Sequence, residues 1–242
     1  MNAASYQALP LHPGPARHQD FHTYPEWRSR VAEPALVPWP MKSLGSAQSG
    51  LDVLPDGRLR CWIRHEVVKG VTPRMLAWWF SHLEGTAVLP DGRSIDRYRL
   101  WHPYDHVHAS YHRRLPDGSV GPGAAIRLRE YLGANRRWPV NIVTEIEKLD
   151  EEGFIHNPVI HGMRGLARME YTFRAVPGGT LYENCLIVGP RHPWLRWLAP
   201  VFRAVAFPEG KGEAWLRHNI EEVGMFENFL PGLYERELGR RE

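Results

Sequence analysis

Three copies of a Pro-Asp-Gly turn constrain this chain more than any other feature. They lie in Val53 to Leu59 (VLPDGRL), Val88 to Ser94 (VLPDGRS) and Arg114 to Val120 (RLPDGSV). Each sits between segments that read as strands, and such turns close hairpins, so antiparallel pairing is expected. The flanking segments do not repeat, so the likeness is one of turn chemistry. Strand candidates are Arg60–Val68, Ser94–Trp101, His106–Arg113, Ala125–Leu132, Val140–Leu149, His161–Arg174 and Thr180–Val188, rich in β-branched and aromatic residues. Thr72 as cap and Pro73 at the first turn start a helix that stops near Gly85. From about Glu209 to Phe229, Trp215, Leu216, Ile220, Val223, Phe226 and Phe229 recur at helical spacing, with Pro231-Gly232 expected to end the helix. Together these elements predict an α+β fold in which a curved antiparallel sheet wraps a long C-terminal helix, leaving a cavity between them. Residues 1–52, rich in Pro, Gly, Ser and Ala, read as an arm or small irregular layer, and 53–242 as the catalytic domain.

Composition narrows the function. The formal charge is only +3 and the basic residues are interspersed with acids, so nucleic acid is not an expected partner. There is no uncharged apolar run of about 18 residues and no apolar leader, so neither a membrane partner nor export is expected, and a cytoplasmic setting fits. Two cysteines without CxxC spacing exclude a disulfide framework and a thiolate zinc site. No GxGxxG, P-loop or GxSxG motif is present, which argues against nucleotide chemistry and serine hydrolysis.

Thirteen histidines are many for 242 residues, and several stand beside acids. His218 and Glu222, four apart in the last helix, project from one face and suit a divalent ion, as they equally suit a surface pair. The segment Trp101-His102-Pro103-Tyr104-Asp105-His106-Val107-His108 offers further ligands, or a His-rich turn. Pairing across the Pro116-Asp117-Gly118 loop sets Glu130 opposite His106 or His108. Glu130 also alternates with Ile126, Leu128 and Leu132, so it shares an apolar face and needs a partner there, a metal or a basic group. His106, Glu130, His218 and Glu222 make an N2O2 set of the kind expected for catalytic zinc. His161, which opens a strand candidate after a loop, is a candidate general acid or base, and Tyr98 and Tyr182 are candidate hydrogen-bond donors to a polar substrate.

Arg64-His65-Glu66, the run from Lys69 to Phe80 (KGVTPRMLAWWF), Trp101-His102-Pro103-x-Asp105-His106 and the His-x-x-x-Glu helix resemble the diacetylphloroglucinol hydrolase family, which includes the phloretin hydrolases. The likeness spans roughly residues 55 to 232. It implies a Bet v 1-like helix-grip fold and one zinc ion per chain. The implied activity is hydrolysis of the carbon–carbon bond joining an acyl group to a phloroglucinol-type ring, with a small aromatic ketone as substrate. Carried over, the ligands fall on His218, Glu222, Glu130 and His106, with His102 the alternative to His106. The catalytic histidine falls on His161, and the substrate-binding tyrosines on Tyr98 and Tyr182. Dimerisation is a family-level expectation. The loop between the sheet histidine and glutamate is shorter than the family pattern, and the substrate-holding asparagine after the histidine has no counterpart. Competing readings are a helix-grip binding protein for aromatic or hydrophobic molecules, and a metal-free polyketide cyclase or aromatase.

Overall fold

The structure, a computed structural model, describes residues 37–134, 137–208 and 210–239. Most of the expected N-terminal arm therefore lies outside the described residues. The strands are β1 (Ala47–Val53), β2 (Leu59–His65), β3 (Val68–Lys69), β4 (Thr86–Val88), β5 (Ser94–Asp96), β6 (His106–Arg113), β7 (Ala125–Tyr131), β8 (Pro139–Asp150), β9 (Gly153–Val159), β10 (Ala167–Val176) and β11 (Gly179–Val188). The helices are α1 (Pro73–Phe80), α2 (Arg97–Trp101), α3 (Ala199–Ala206) and α4 (Lys211–Gly239).

One antiparallel sheet runs in the order β1-β2-β11-β10-β9-β8-β7-β6, with β3 pairing β11, while β4 and β5 form a separate hairpin. All three Pro-Asp-Gly turns close hairpins, as expected: β1–β2, β4–β5 and β6–β7. Each repeats one hydrogen-bond pattern: Leu54 and Arg58, Leu89 and Arg93, Leu115 and Ser119. Gly57, Gly92 and Gly118 adopt φ of 81°, 85° and 81°, a left-handed conformation that costs a glycine little. Thr72 caps α1, its hydroxyl accepting from the Met75 N–H.

Helix α4 lies in the grip of the sheet. Trp215, Leu216, Ile220, Val223, Phe226, Phe229, Leu230 and Leu233 are all buried. Trp79 of α1 packs on Phe226 and Phe229, and Trp101 of α2 stacks on Phe226 at 5.3 Å between ring centres. The fold is thus the expected α+β helix-grip.

Several expected boundaries shift, each for a physical reason. The sheet starts at Ala47, inside the segment taken as arm. A Cβ on Gly50 would meet the Trp62 indole at 2.8 Å, so that glycine makes room for a cross-strand ring rather than marking a loop. The expected strand Ser94–Trp101 breaks at Asp96. Its carboxylate accepts from the Tyr98 and Arg99 N–H groups and starts α2. Strand β9 is not among the expected strands, and it contains Pro158. However, β10 pairs with β9 only as far as His156, so Pro158 sits where β9 has a neighbour on one side, and the lost N–H is tolerated. Helix α4 also continues through Pro231, carried by the burial of Leu230 and Leu233 in the core.

Candidate metal centre

The β6–β7 hairpin pairs His106 directly with Glu130, one of the two pairings expected, and a bulge then shifts His108 to Arg129. Helix α4 brings His218 and Glu222 to the same place. His106 Nε2 lies 3.5 Å from Glu130 Oε2 and 3.4 Å from Glu222 Oε2. His218 Nε2 lies 3.7 Å from Glu130 Oε2 and 3.4 Å from Glu222 Oε2. Four side chains singled out from three separate segments thus converge. His106, His218 and Glu222 are buried and Glu130 nearly so.

These separations exceed the about 2.7–2.9 Å of a charge-assisted hydrogen bond. They match the about 3.4 Å edge of a tetrahedron whose donors lie about 2.1 Å from a central zinc. His106 Nε2 is buried with no hydrogen-bond partner, and its lone pair faces the carboxylates. The donor set, two imidazoles and two carboxylates, is suited to zinc or a related divalent ion. The residues fit such a group.

The surroundings fix each imidazole. His106 Nδ1 donates to the Tyr98 carbonyl at 2.7 Å, which leaves Nε2 as the acceptor nitrogen. The Tyr98 ring stacks on His106 with centres 3.6 Å apart, and its hydroxyl donates to Glu130 Oε2 at 2.6 Å. His218 Nδ1 donates to Asp105 Oδ2 at 2.9 Å, an oxygen that also accepts from the Gly133 N–H at 2.7 Å. Asp105 is fully buried. In the sequence it is only an acid among three histidines, and its place beside His106 in that run is the available signal.

His102 is buried too but is turned the other way. Its Nδ1 accepts from the Asp105 N–H at 3.1 Å, so the proton of the neutral ring is on Nε2, 3.4 Å from Glu221 Oε2 and 3.7 Å from Asp105 Oδ2.

Charge separation follows. Burial opposes ionisation of Glu222, but His218 and His106 outweigh it and hold the carboxyl at about 2. Burial likewise pulls His218 down, yet Glu222, Glu130 and Asp105 hold it well above its ordinary value. His106 is lowered, by burial first. A cluster this charged in a core is costly unless something compensates it.

The other expected groups divide. Tyr182 is fully buried, its hydroxyl has no partner, and burial keeps it protonated. Tyr98 is committed to Glu130. His161 departs from expectation: it is exposed, at φ 49° in the turn that joins Ile160 and Met163, and not at the opening of a strand. The buried histidine of that neighbourhood is His156 on β9. Thr144 Oγ1 holds its Nδ1 at 2.6 Å, Tyr171 stacks beside it, and burial pushes it down to about 3 despite the Glu222 charge. It is not among the sequence candidates, because no strand candidate covers Gly153–Val159. Asn184 and Asn219 are not sequence candidates either. His65 Nε2 contacts Asn184 Oδ1 at 3.2 Å, and Asn184 Nδ2 donates to Asn219 Oδ1 at 2.7 Å, tying β2 and β11 to α4.

Residues 42–136 match the family model described as DAPG hydrolase PhiG domain. A 2,4-diacetylphloroglucinol hydrolase from Pseudomonas sp is 27% identical over 87% of this chain and 76% of its own length. Another, from Pseudomonas protegens, is 26% identical over 87% of this chain and 72% of its own. Among solved structures, Ara h 8.0201 is similar over 76% of this chain and 99% of its own, at 10% identity and a TM-score of 0.43. The resemblance read from the sequence is thus met by independent similarity. No helix among the described residues is long and apolar enough to cross a membrane.

Proposed function

We propose that this protein is a metal-dependent hydrolase that cleaves the carbon–carbon bond between an acyl group and a polyhydroxylated aromatic ring. His106, Glu130, His218 and Glu222 would hold a zinc ion. The observation that carries this reading is the convergence of their four donor atoms at 3.4–3.7 Å, with His106 Nε2 unpartnered. Similarity to proteins named 2,4-diacetylphloroglucinol hydrolase supports the reaction class. A bound divalent ion supplies Lewis acidity towards a carbonyl or hydroxyl oxygen.

In the reaction, water adds its hydroxyl to the acyl carbon, the aryl–acyl bond breaks, and the ring carbon takes a proton. Ring hydroxyls make the aromatic carbon basic enough to accept that proton. We assign the proton relay to His156 instead of His161. Burial lowers the His156 pKa to about 3 and keeps the imidazole neutral near pH 7, and the negative charge of an ionised ring bound beside it would raise its affinity for the proton that it takes up and returns to the ring. Thr144 engages Nδ1 and leaves Nε2 for the reaction. The unpartnered Tyr182 hydroxyl is a donor for a substrate oxygen. Tyr98 acts on Glu130, fixing the carboxylate through a 2.6 Å bond, so it positions a ligand more than it binds substrate. Trp101 and Phe226 supply apolar surface beside His106.

The test is incubation of purified protein with an acylphloroglucinol, before and after chelation, alongside elemental analysis. One equivalent of zinc, and carboxylic acid released only by the metal-loaded protein, is the expected result. Acid release that survives complete metal removal would overturn the proposal, and so would ligand binding without turnover in zinc-loaded protein.

A further inference from the structure

The segment between β11 and α4 presents a face that the hydrolase reading does not use. Pro193–Leu198 forms a 3-10 turn and Ala199–Ala206 forms α3. Their inner side packs on the body of the protein: Ala199 is fully buried, and Phe202 and Ala206 lie against the core. Trp194, Trp197, Val201 and Val205 recur at steps of three and four and point outward, with exposures of 82%, 74%, 63% and 77%. A helical stretch that is apolar on both sides has an outer face with no counterpart among the described residues.

Charge indicates what would cover it. From Asn184 to Pro208 the sequence contains no Asp or Glu, while Arg196 and Arg203 interleave with the stripe. The nearby Asp56 is shared between Arg58 at 2.9 Å and Arg196 at 3.6 Å, which leaves positive charge in excess. Exposed tryptophans with arginines and no acids are the composition of a segment lying in the interface of an anionic bilayer. A second copy of this chain is a poorer occupant, because a two-fold contact sets the patch against itself and opposes arginine to arginine. Strand register adds position: Glu130 pairs with Val140, Val143 with Val159, His156 with Met169 and Ala167 with Val188. The segment therefore leaves the sheet at the end that carries the carboxylate–imidazole cluster.

We infer that Trp194, Trp197, Val201 and Val205 dock this protein peripherally onto anionic phospholipid surfaces, against the sequence-level expectation of no membrane partner. The inference does not depend on the hydrolase reading. It is tested by co-sedimentation of the full chain with phosphatidylcholine vesicles and with vesicles also containing phosphatidylglycerol. Intrinsic tryptophan emission is followed in parallel. Binding is expected to the anionic vesicles, with a blue shift, and to weaken as salt rises. Trp194→Ser/Trp197→Ser removes only exposed side chains, and circular dichroism checks its fold. It should bind at least about tenfold more weakly. Absence of anionic-vesicle binding by the wild type, or equal binding by the double variant, would overturn the inference. So would concentration-dependent self-association that the double variant abolishes while vesicles are ignored; that outcome assigns the face to a second copy.

Discussion

Asp105→Asn isolates the support of one ligand without deleting any donor to the cluster. The native carboxylate oxygen Oδ2 accepts from His218 Nδ1 at 2.9 Å and from the Gly133 N–H at 2.7 Å, out of contact with water. The amide keeps shape and one acceptor oxygen but removes the charge. A hydrogen bond to a charged partner is worth about 1.5–3 kcal/mol, and a neutral one about 0.5–1.5. The His218 contact should thus lose about 1–2 kcal/mol, and the imidazole loses basicity and orientation. At about 1.4 kcal/mol per decade, zinc affinity should fall about 5- to 30-fold, overlapping the about 10- to 100-fold range for loss of a carboxylate behind a ligating histidine. Asp105→Ala is the poorer probe, since it strands two buried donors at about 1–3 kcal/mol each and threatens the fold itself. The assay is chelator competition for zinc, with circular dichroism to confirm that Asp105→Asn folds. A zinc dissociation constant within about twofold of wild type in a folded variant would refute the reasoning, because the charge behind His218 would then do nothing for the ligand.

Three further expectations follow from the same geometry. Tyr98→Phe, which deletes the hydroxyl on Glu130, should weaken zinc binding by about 1.5–3 kcal/mol at most while leaving the stacked ring on His106; unchanged affinity would remove Tyr98 from the site. His156→Gln should lower kcat at least about 100-fold with zinc retained, while His161→Ala, at an exposed turn, should be near neutral; the reverse pattern in steady-state kinetics would restore the role to His161. His65 and His156 are lowered from 6.5 to about 4 and about 3, chiefly by burial, so the unfolded chain binds protons that the folded chain refuses. Their contribution is complete above pH 6.5 and is lost as pH falls towards those values, by up to about 1.4 kcal/mol per pH unit for each. Urea midpoints should therefore drop between pH 6.5 and 4.5, less steeply in His156→Gln, and parallel profiles would contradict this.

The sequence by itself determined whatever depends on spacing along one segment or across one short turn. His218 and Glu222 share a helix face because four residues make about one turn. His106 meets Glu130 because a Pro-Asp-Gly hairpin sets the register of its strands and period-two alternation sets the face. Hairpins joined to a long amphipathic helix fixed the fold class, since an apolar stripe has to be buried against a sheet face.

Only the tertiary structure decided what depends on contacts between distant segments. Asp105 is meaningful because His218, 113 positions away, donates to it. His106 differs from His102 in what the backbone does at Nδ1: the Tyr98 carbonyl accepts a hydrogen bond from Nδ1–H of the one, while the Asp105 N–H donates to Nδ1 of the other. The preference for His156 over His161 turned on strand β9, which is absent from the strand candidates and accommodates Pro158 where it has a neighbour on one side. Local sequence sets periodicity and turns. Burial and hydrogen-bond partners, which choose a tautomer and shift a pKa, exist only once the chain has closed on itself.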